Sequence, residues 1–368
     1  MASYLYYLIC IIFLFSCGDG KSKQQEKSVV TLHRTPPEKT KQVNSIKIIS
    51  PEKNKLYTYH EKVPVRFSSK DHYSIDSAVI YVNGKPVAHT GKEVCEYTYK
   101  IPADKVGTTT IKVIAWHPDG KQGIASTQIQ VKPDQAPVSR QYEIVHVYPH
   151  DPEAYTQGLQ YQDGYMYEGT GQYGESSLRK TDMSNGKIIS VLNIDSQLFG
   201  EGITIYGDKI YQITWRSRKG FIYNLKTFSL ESTFQYNSEG WGITTAGDKL
   251  IMSDGSHKLY HIAPSGFHIL KEVEVFDHTG PVEQLNELEY VEGLVWANVW
   301  QTDRIVAIDP ETGAVKEDIH LDSLLTPAEK SKLTDHDDVL NGIAWNPQKK
   351  TFYVTGKRWP KLFEIKMK

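Results

Sequence analysis

Five short segments of the chain share one pattern, a polar or aromatic residue followed usually by glycine and then by leucine or isoleucine. The leading residues stand 44, 40, 45 and 55 residues apart, and they are Gln157, Glu201, Trp241, Asn286 and Asn341. Near neutral pH only the carboxyl group among them can exchange a proton, whereas the amides and the indole cannot. If the fold brings the five together, the pattern predicts proton transfer beside hydrogen-bonding amides.

The spacing also indicates the elements that would position these residues. Each leading residue is followed by a turn and an aromatic-rich strand, and a third strand is plain at residues 304–309 and 361–365. Three or four strands in units of roughly 40 to 50 residues are typical of β-propeller blades. We therefore predict a five-bladed β-propeller, in which residues 142–148 supply the fourth strand that the last blade lacks.

The first strand of every propeller blade lines the central channel, so the leading residues should form a ring at one mouth. The turns after the second strands should add a second tier at the same mouth, made of Glu168, Trp215, Asp254, Trp300 and Lys357. Ordinary alternatives exist for each residue: strand tryptophans pack between blades, lone amides cap turns, Lys357 could simply be solvated, and Glu201, between two glycines, could occupy a surface turn. Five equivalent positions that are all polar or aromatic favour a functional site.

The N-terminus indicates an export segment. Residues 4–15 form an apolar run that is too short to span a bilayer, and it leads to Cys17 in a pattern similar to a bacterial lipobox. We expect a lipoprotein signal peptide over residues 1–16, lipid attachment at Cys17 and a flexible tether over residues 17–43. The alternative is an ordinary cleaved signal with an incidental cysteine. The expected location is a bacterial membrane, on its periplasmic or cell-surface side, with the protein held by its lipid.

Residues 44–132 show alternating apolar and polar runs separated by Asn-Gly and Asp-Gly turns, which predicts a small immunoglobulin-like β-sandwich. We interpret it as a spacer, and a ligand-binding role stays open. A proline-containing linker over residues 133–139 leads to the propeller, a catalytic domain over residues 140–368. The predicted fold class is therefore all-β.

The charge balance and the cysteine count of the chain limit the kinds of partner that we expect. With 42 Lys and Arg against 44 Asp and Glu, the chain has no strong field that would attract nucleic acid or an anionic membrane. Of its three cysteines, Cys10 lies in the signal and Cys17 would be acylated, so Cys95 has no partner for an internal disulfide. We expect a monomer that meets the membrane only through its lipid anchor.

Residues 142–368 resemble the plant-type and bacterial glutaminyl-peptide cyclotransferases. The similarity rests on residues 148–159, 174–179, 199–204, 285–290, 295–303, 340–344 and 355–360. It implies catalytic roles for Glu201, Asn286, Lys357 and Gln157. It implies substrate-binding roles for Tyr155, Phe199, Trp215, Trp241 and Trp300. Phenylalanine is usual in the family where this chain has Tyr155.

The resemblance implies that an N-terminal glutamine of a peptide or protein is closed into pyroglutamate with release of ammonia. Because nucleophile and electrophile share one residue, catalysis needs orientation and proton transfer. Enclosure by aromatic residues would raise the pKa of Glu201 and suit it to a proton shuttle. No cofactor or metal is required, since the histidines show no ligand spacing, and a structural cation in the channel stays open. The alternative is a non-catalytic surface propeller that binds a peptide or glycan.

Overall fold

The computed structural model describes residues 41–70 and 73–368, which form strands, turns and one short helix. The predicted signal peptide, Cys17 and all but the last three residues of the predicted tether lie outside the described residues. Within those ranges, no helix is long and apolar enough to cross a bilayer. The prediction of an all-β protein is confirmed.

Nine N-terminal strands form two sheets around one apolar core. They are β1 Gln42–Val43, β2 Ile46–Ser50, β3 Leu56–Thr58, β4 Lys62–Ser69, β5 Ser77–Val82, β6 Lys85–Thr90, β7 Glu96–Lys100, β8 Gly107–Trp116 and β9 Gln122–Lys132. One sheet has the order β1-β9-β8-β5-β6 with β3 also paired to β9, and the other has the order β2-β4-β7. Buried residues alternate with partly exposed ones along the whole of β8, so one face of this strand packs on the core. We call residues 42–132 the N-terminal module. Strand β1 falls within the predicted tether, where it pairs in parallel with the start of β9.

Five further sheets follow, preceded by β10 Val138–Ser139 and β11 Tyr142–Pro149. The first contains β12 Thr156–Gln162, β13 Tyr165–Thr170, β14 Ser177–Asp182 and β15 Lys187–Asn193. The second contains β16 Gly200–Tyr206, β17 Lys209–Thr214, β18 Lys219–Asn224 and β19 Leu230–Gln235. The third contains β20 Ile243–Ala246, β21 Lys249–Ser253, β22 Lys258–Ala263 and β23 His268–Glu274. The fourth contains β24 Leu285–Val291, β25 Leu294–Val299, β26 Arg304–Ile308 and β27 Val315–His320, and α1 Pro327–Lys330 follows it. The fifth contains β28 Leu340–Asn346, β29 Thr351–Gly356 and β30 Lys361–Met367.

The fifth sheet is completed from the other end of this region. Strand β11 pairs antiparallel with β30, from Tyr142 opposite Met367 to Pro149 opposite Lys361. The predicted pairing of residues 142–148 with the last strand is thus present, and it covers an edge that would otherwise lie open. Strand β10, at the end of the predicted linker, pairs in parallel with β27 of the fourth sheet.

The first strands of the five sheets, β12, β16, β20, β24 and β28, contact one another in a closed cycle. The repeated glycines allow this close approach. A Cβ atom on Gly158 would lie 2.4 Å from the backbone nitrogen of Ile203, and one on Gly242 would lie 2.1 Å from the backbone oxygen of Asn286. Only glycine fits such contacts, so the residue before each glycine is brought close to a common axis.

The fourth repeat departs from this pattern, because it has Glu287 where the others have glycine. The Glu287 carboxylate accepts hydrogen bonds from the backbone nitrogens of Leu159 at 3.1 Å and Ile343 at 2.7 Å. Desolvation raises the pKa of Glu287 well above its usual range, and the neighbouring charge of Glu289 adds to this effect. The side chain thereby joins the first, fourth and fifth sheets at their inner strands.

The N-terminal module contacts the five-sheet region directly. Val106 packs against Phe276 and Ala314, and its backbone nitrogen donates to the Thr312 carbonyl at 3.1 Å. The backbone and hydroxyl groups of Thr108 both donate to the Glu274 carboxylate. The two parts of the chain are therefore joined by packing and by charge-assisted hydrogen bonds.

Candidate active site

A cavity of about 170 Å³ opens where the first strands begin. Its lining consists of Tyr155, Gln157, Gln172, Phe199, Glu201, Trp215, Trp241, Asn286, Trp300, Asp337 and Lys357. The structure thus brings together all nine residues that the family resemblance implies, and it adds Gln172 and Asp337. Residues up to about 200 positions apart in the chain meet in one small space.

Three of the lining residues come directly after second strands, at β17, β25 and β29. Backbone hydrogen bonds hold these turns: the nitrogen of Trp215 donates to Phe199, that of Trp300 to Gln284, and that of Lys357 to Val339. The turns are therefore tied to the segments that lead into first strands, which gives the cavity a rigid wall.

The predicted second tier is wrong for Glu168 and Asp254, which do not line the cavity. Glu168 accepts hydrogen bonds from Thr156 at 2.7 Å and from the His150 ring at 3.1 Å. Asp254 accepts from Tyr260 at 2.7 Å and from the Ser256 hydroxyl at 2.6 Å. These partners satisfy both carboxylates away from the cavity. Glu168 lies within β13, opposite Leu159, and not in the turn that follows the strand. Asp254 directly follows β21, and its hydrogen bonds hold it beside Tyr260 and Ser256.

Glu201 is 4% exposed and faces the Gln157 amide. Gln157 Nε2 donates to Glu201 Oε1 at 3.0 Å, while Asn341 Nδ2 donates to Gln157 Oε1 at 3.0 Å. The hydrogen bond from Asn341 therefore fixes the orientation of the Gln157 amide, so that the NH₂ group of Gln157 points toward Glu201. Desolvation raises the pKa of Glu201 well above its usual range; the charge of Lys357 opposes this shift and that of Glu239 reinforces it.

Lys357 is also almost fully buried. Its Nζ atom lies 4.8 Å from the ring centre of Tyr155 and 5.9 Å from that of Trp300. Desolvation lowers the pKa of Lys357, against the attraction of Glu201, Asp337 and Asp338. Burial likewise raises the pKa of the Tyr155 phenol, so this hydroxyl group stays protonated.

Aromatic rings line much of the cavity in edge-to-face pairs. Ring centres are 6.1 Å apart for Tyr155 and Phe199, 5.5 Å for Phe199 and Trp215, and 5.5 Å for Trp241 and Trp300. Such pairs fix ring orientation and keep water from much of the cavity surface. The resulting wall suits the short aliphatic stem of a bound side chain.

Two buried polar atoms of lining residues have no hydrogen-bond partner among the described residues, Asn286 Oδ1 and Trp300 Nε1. One is an acceptor and the other a donor, and leaving such atoms unsatisfied is costly. A ligand that supplies an N–H group and a carbonyl oxygen would give both atoms a hydrogen-bond partner.

Asp337, Gln172 and Glu239 escaped the sequence analysis. Asp337 lies in the connection between β27 and β28, which also holds α1 and makes the last repeat spacing the longest. Gln301 Nε2 donates to Asp337 Oδ1 at 2.6 Å. The 55-residue interval was the available signal that this connection carries extra chain.

Beside Asp337, the side chains of Asp335 and His336 bring three possible ligand atoms within 4.8 Å of one another. Both acidic groups lie close to the His336 ring, at 2.9 Å for Asp335 and 3.4 Å for Asp337. An exposed acidic group of this kind is common without a metal, and we assign none to it.

Comparisons with a protein family, with a known protein and with a solved structure agree with one another. The family described as glutamine cyclotransferase matches residues 121–367. A glutaminyl-peptide cyclotransferase of Arabidopsis thaliana is 42% identical over 228 residues, which cover 61% of this chain and 71% of the relative. A crystal structure of glutaminyl cyclase from Myxococcus xanthus superposes with a TM-score of 0.59 and 35% identity, over 63% of this chain and 98% of that one.

Proposed function

The chain belongs to the glutamine cyclotransferase family, and on this premise we propose that Glu201 moves the protons in its reaction. The enzyme is a glutaminyl-peptide cyclotransferase, which converts the N-terminal glutamine of peptides or proteins into pyroglutamate and releases ammonia. The observation that carries the role of Glu201 is its burial in a cavity that also contains amides, indoles and an ammonium group.

The proton steps balance around one carboxyl group. Ionised Glu201 takes a proton from the substrate α-ammonium, and the freed amine attacks the γ-carboxamide carbon to form a carbon–nitrogen bond. Glu201 then protonates the leaving nitrogen and takes back a proton from the ring nitrogen. The carbonyl reforms, the old carbon–nitrogen bond breaks and ammonia leaves, after which the last proton passes from Glu201 to ammonia. A pKa raised toward that of an α-amine, near 8, lets the carboxyl group act in both directions.

The other polar residues hold the substrate in the folded-back conformation. Asn286 Oδ1 accepts an N–H of the substrate, and Trp300 Nε1 donates to a substrate carbonyl; these are the two atoms without protein partners. Lys357 stabilises the carboxamide oxygen as it gains negative charge, and Gln157 orients Glu201. Orientation of this kind can contribute several kcal/mol to the rate.

The architecture supports the same proposal at a coarser scale. We propose that the five sheets are the blades of a five-bladed β-propeller, whose inner strands form the closed cycle. We further propose that the two-sheet N-terminal module is an immunoglobulin-like spacer, and that Cys17 carries a lipid that holds an exported monomer on a bacterial membrane.

The proton steps above use no cofactor or metal. A non-catalytic binding propeller is not favoured, because the full polar ring of Gln157, Glu201, Asn286 and Lys357 is present.

The test is to incubate the full chain with a Gln-initiated dipeptide and to follow ammonia. The wild-type protein should release ammonia, and Glu201→Gln should retain binding of a non-cyclising glutamine analogue while turnover is lost. A folded wild-type protein that binds the analogue but releases no ammonia would overturn the proposed function.

A further inference from the structure

Glu239 lies outside the cavity lining, in the segment between β19 and β20, and the proposed reaction does not use it. A single oxygen of its carboxylate, Oε2, accepts the indole N–H of Trp215 at 2.8 Å and that of Trp241 at 3.1 Å. Its other oxygen, Oε1, accepts from Arg216 Nε at 3.2 Å. One carboxylate thus holds two side chains of the cavity.

This link fills a break in the aromatic wall. Trp215 contacts Phe199 on one side, and Trp241 contacts Trp300 on the other. Trp215 follows β17 of the second sheet, and Trp241 precedes β20 of the third. Among the described residues no ring contact joins them. Glu239 therefore connects two aromatic pairs that packing alone leaves separate.

The hydrogen bonds also decide what the indoles offer a ligand. An indole has one polar atom, its N–H, and Glu239 accepts both of these groups. Trp215 and Trp241 can then offer the cavity only apolar surface. Trp300 differs, because its N–H has no partner among the described residues.

Glu239 acts on Glu201 through charge as well. Desolvation works to raise the pKa of Glu239, but hydrogen bonds from Trp241, Trp215 and Arg216 outweigh it and lower that pKa. Glu239 is therefore an anion at neutral pH. Its charge raises the pKa of Glu201, whereas the charge of Lys357 lowers it. The charge of Glu201 in turn raises the pKa of Tyr155 and of Tyr236.

We propose that Glu239 is a positioning residue, which locks Trp215 and Trp241 as the apolar wall for the glutamine stem. The proposal rests on the proposed function, since it assigns that stem to the cavity. In this arrangement Trp300 and Asn286 make the polar contacts with the substrate, whereas Trp215 and Trp241 make only apolar ones.

The experiment compares three variants of the full chain with a Gln-initiated dipeptide. Glu239→Ala removes both the link and the charge. Glu239→Gln keeps one oxygen for the indole N–H groups and removes only the charge, and the exposed Arg216 can turn to solvent. Glu231→Gln is the control, because its carboxylate pairs with Lys209 at the surface and does not line the cavity.

Loss of two charge-assisted hydrogen bonds should raise KM in Glu239→Ala by about tenfold, with a smaller change in kcat. When the non-cyclising analogue binds, the change in tryptophan fluorescence should differ between Glu239→Ala and the wild type, because Trp215 and Trp241 are no longer held. Glu239→Gln should show a smaller rise in KM, and the acid limb of its kcat/KM profile should move to lower pH, because removing a negative charge lowers the pKa of Glu201. Glu231→Gln should match the wild type.

A folded Glu239→Ala protein with wild-type KM and fluorescence response would overturn the positioning role. An acid limb that stays in place in Glu239→Gln would overturn the charge effect. If Glu239→Ala does not fold, the pH profile of Glu239→Gln still tests the charge effect. Glu239→Leu, checked by thermal melts, then takes the place of Glu239→Ala in testing the positioning role. These outcomes are read against a wild-type protein that releases ammonia in the same assay, so failure of the proposed function is seen separately.

Discussion

Gln157 donates a hydrogen bond from Nε2 to Glu201 Oε1 over 3.0 Å, and Asn341 holds the Gln157 amide in the orientation that makes this possible. The acceptor is the buried carboxyl group with the raised pKa. A neutral amide therefore supports Glu201 in both protonation states without supplying a charge that would fix either one. This arrangement is what a group that both takes and returns protons needs.

Glu201→Gln should lower kcat by at least about 10², the lower end for a general acid and base. Glutamine preserves the size of the side chain and an oxygen that can accept from Gln157, so folding should be kept. Ammonia release gives the rate, and thermal melts and analogue binding confirm an intact cavity. A folded variant with near-normal kcat would eliminate Glu201 as the shuttle.

The same substitution should stabilise the protein at neutral pH. The folded-state pKa of Glu201 is raised above its unfolded value, so its contribution to stability is present below about pH 4.3 and is lost as pH rises through the folded pKa. In that window the wild type loses up to about 1.4 kcal/mol of unfolding free energy per pH unit through this group. The advantage of Glu201→Gln in urea unfolding should thus be larger at pH 7 than at pH 4. An advantage that does not grow with pH would contradict the assigned shift.

Trp300→Phe should act mainly on substrate binding. It removes the indole N–H that has no protein partner but keeps an aromatic ring against Trp241. One lost hydrogen bond, about 1 kcal/mol, should raise KM by roughly fivefold and change kcat less. Trp215→Phe is the matched comparison, since its N–H is held by Glu239 and does not reach the substrate. A loss of kcat in Trp300→Phe as large as that in Glu201→Gln would argue for a direct role in chemistry.

Turnover should survive strong chelators, because proton transfer is assigned to Glu201 and not to metal-bound water. The measurement is ammonia release before and after treatment with EDTA and with 1,10-phenanthroline, together with thermal melts. Activity that disappears without unfolding and returns with added zinc would show that the assignment is wrong.

Gly107→Ala should loosen the N-terminal module from the five-sheet region. Gly107 has a φ of +88°, and a Cβ atom there would lie 2.3 Å from the Glu274 carboxylate that holds Thr108. Gly120→Ala is a matched control, since Gly120 has a φ of +79° and open space around it. Both variants pay for left-handed backbone, roughly 1 kcal/mol, but only Gly107→Ala disturbs the contact.

We expect faster proteolysis at residues 133–137 in Gly107→Ala than in Gly120→Ala, with turnover close to wild type in both. The cavity lining falls between Tyr155 and Lys357, so the module contributes none of it. Equal proteolysis of the two variants would show that the Thr108–Glu274 contact does not hold the module. A large loss of turnover in Gly107→Ala alone would show that the module orders the site.

Much of the site was predictable from residue types and spacing. The repeated glycines mark places where two first strands approach too closely for any side chain, so the residue before each one must lie near the axis. The repeat itself contains these glycines, and the constraint applies to Gln157, Glu201 and Trp241, the residues before Gly158, Gly202 and Gly242. Glu201 could be singled out because it is the one carboxyl group among those leading residues.

The tertiary structure alone decided which neighbours those residues have. The repeat spacing places Glu168 in the same tier as Trp215, but Glu168 lies within β13 and turns to His150 and Thr156. Asp337 reaches the cavity from a connection outside the repeat. Glu239 accepts from the indoles of Trp215 and Trp241, which flank strands of two different sheets. A repeat reports the path of each strand, whereas side-chain partners depend on burial, charge and contacts between distant segments. Those terms are set only when the whole chain is packed, since a buried polar group takes whichever partner satisfies it.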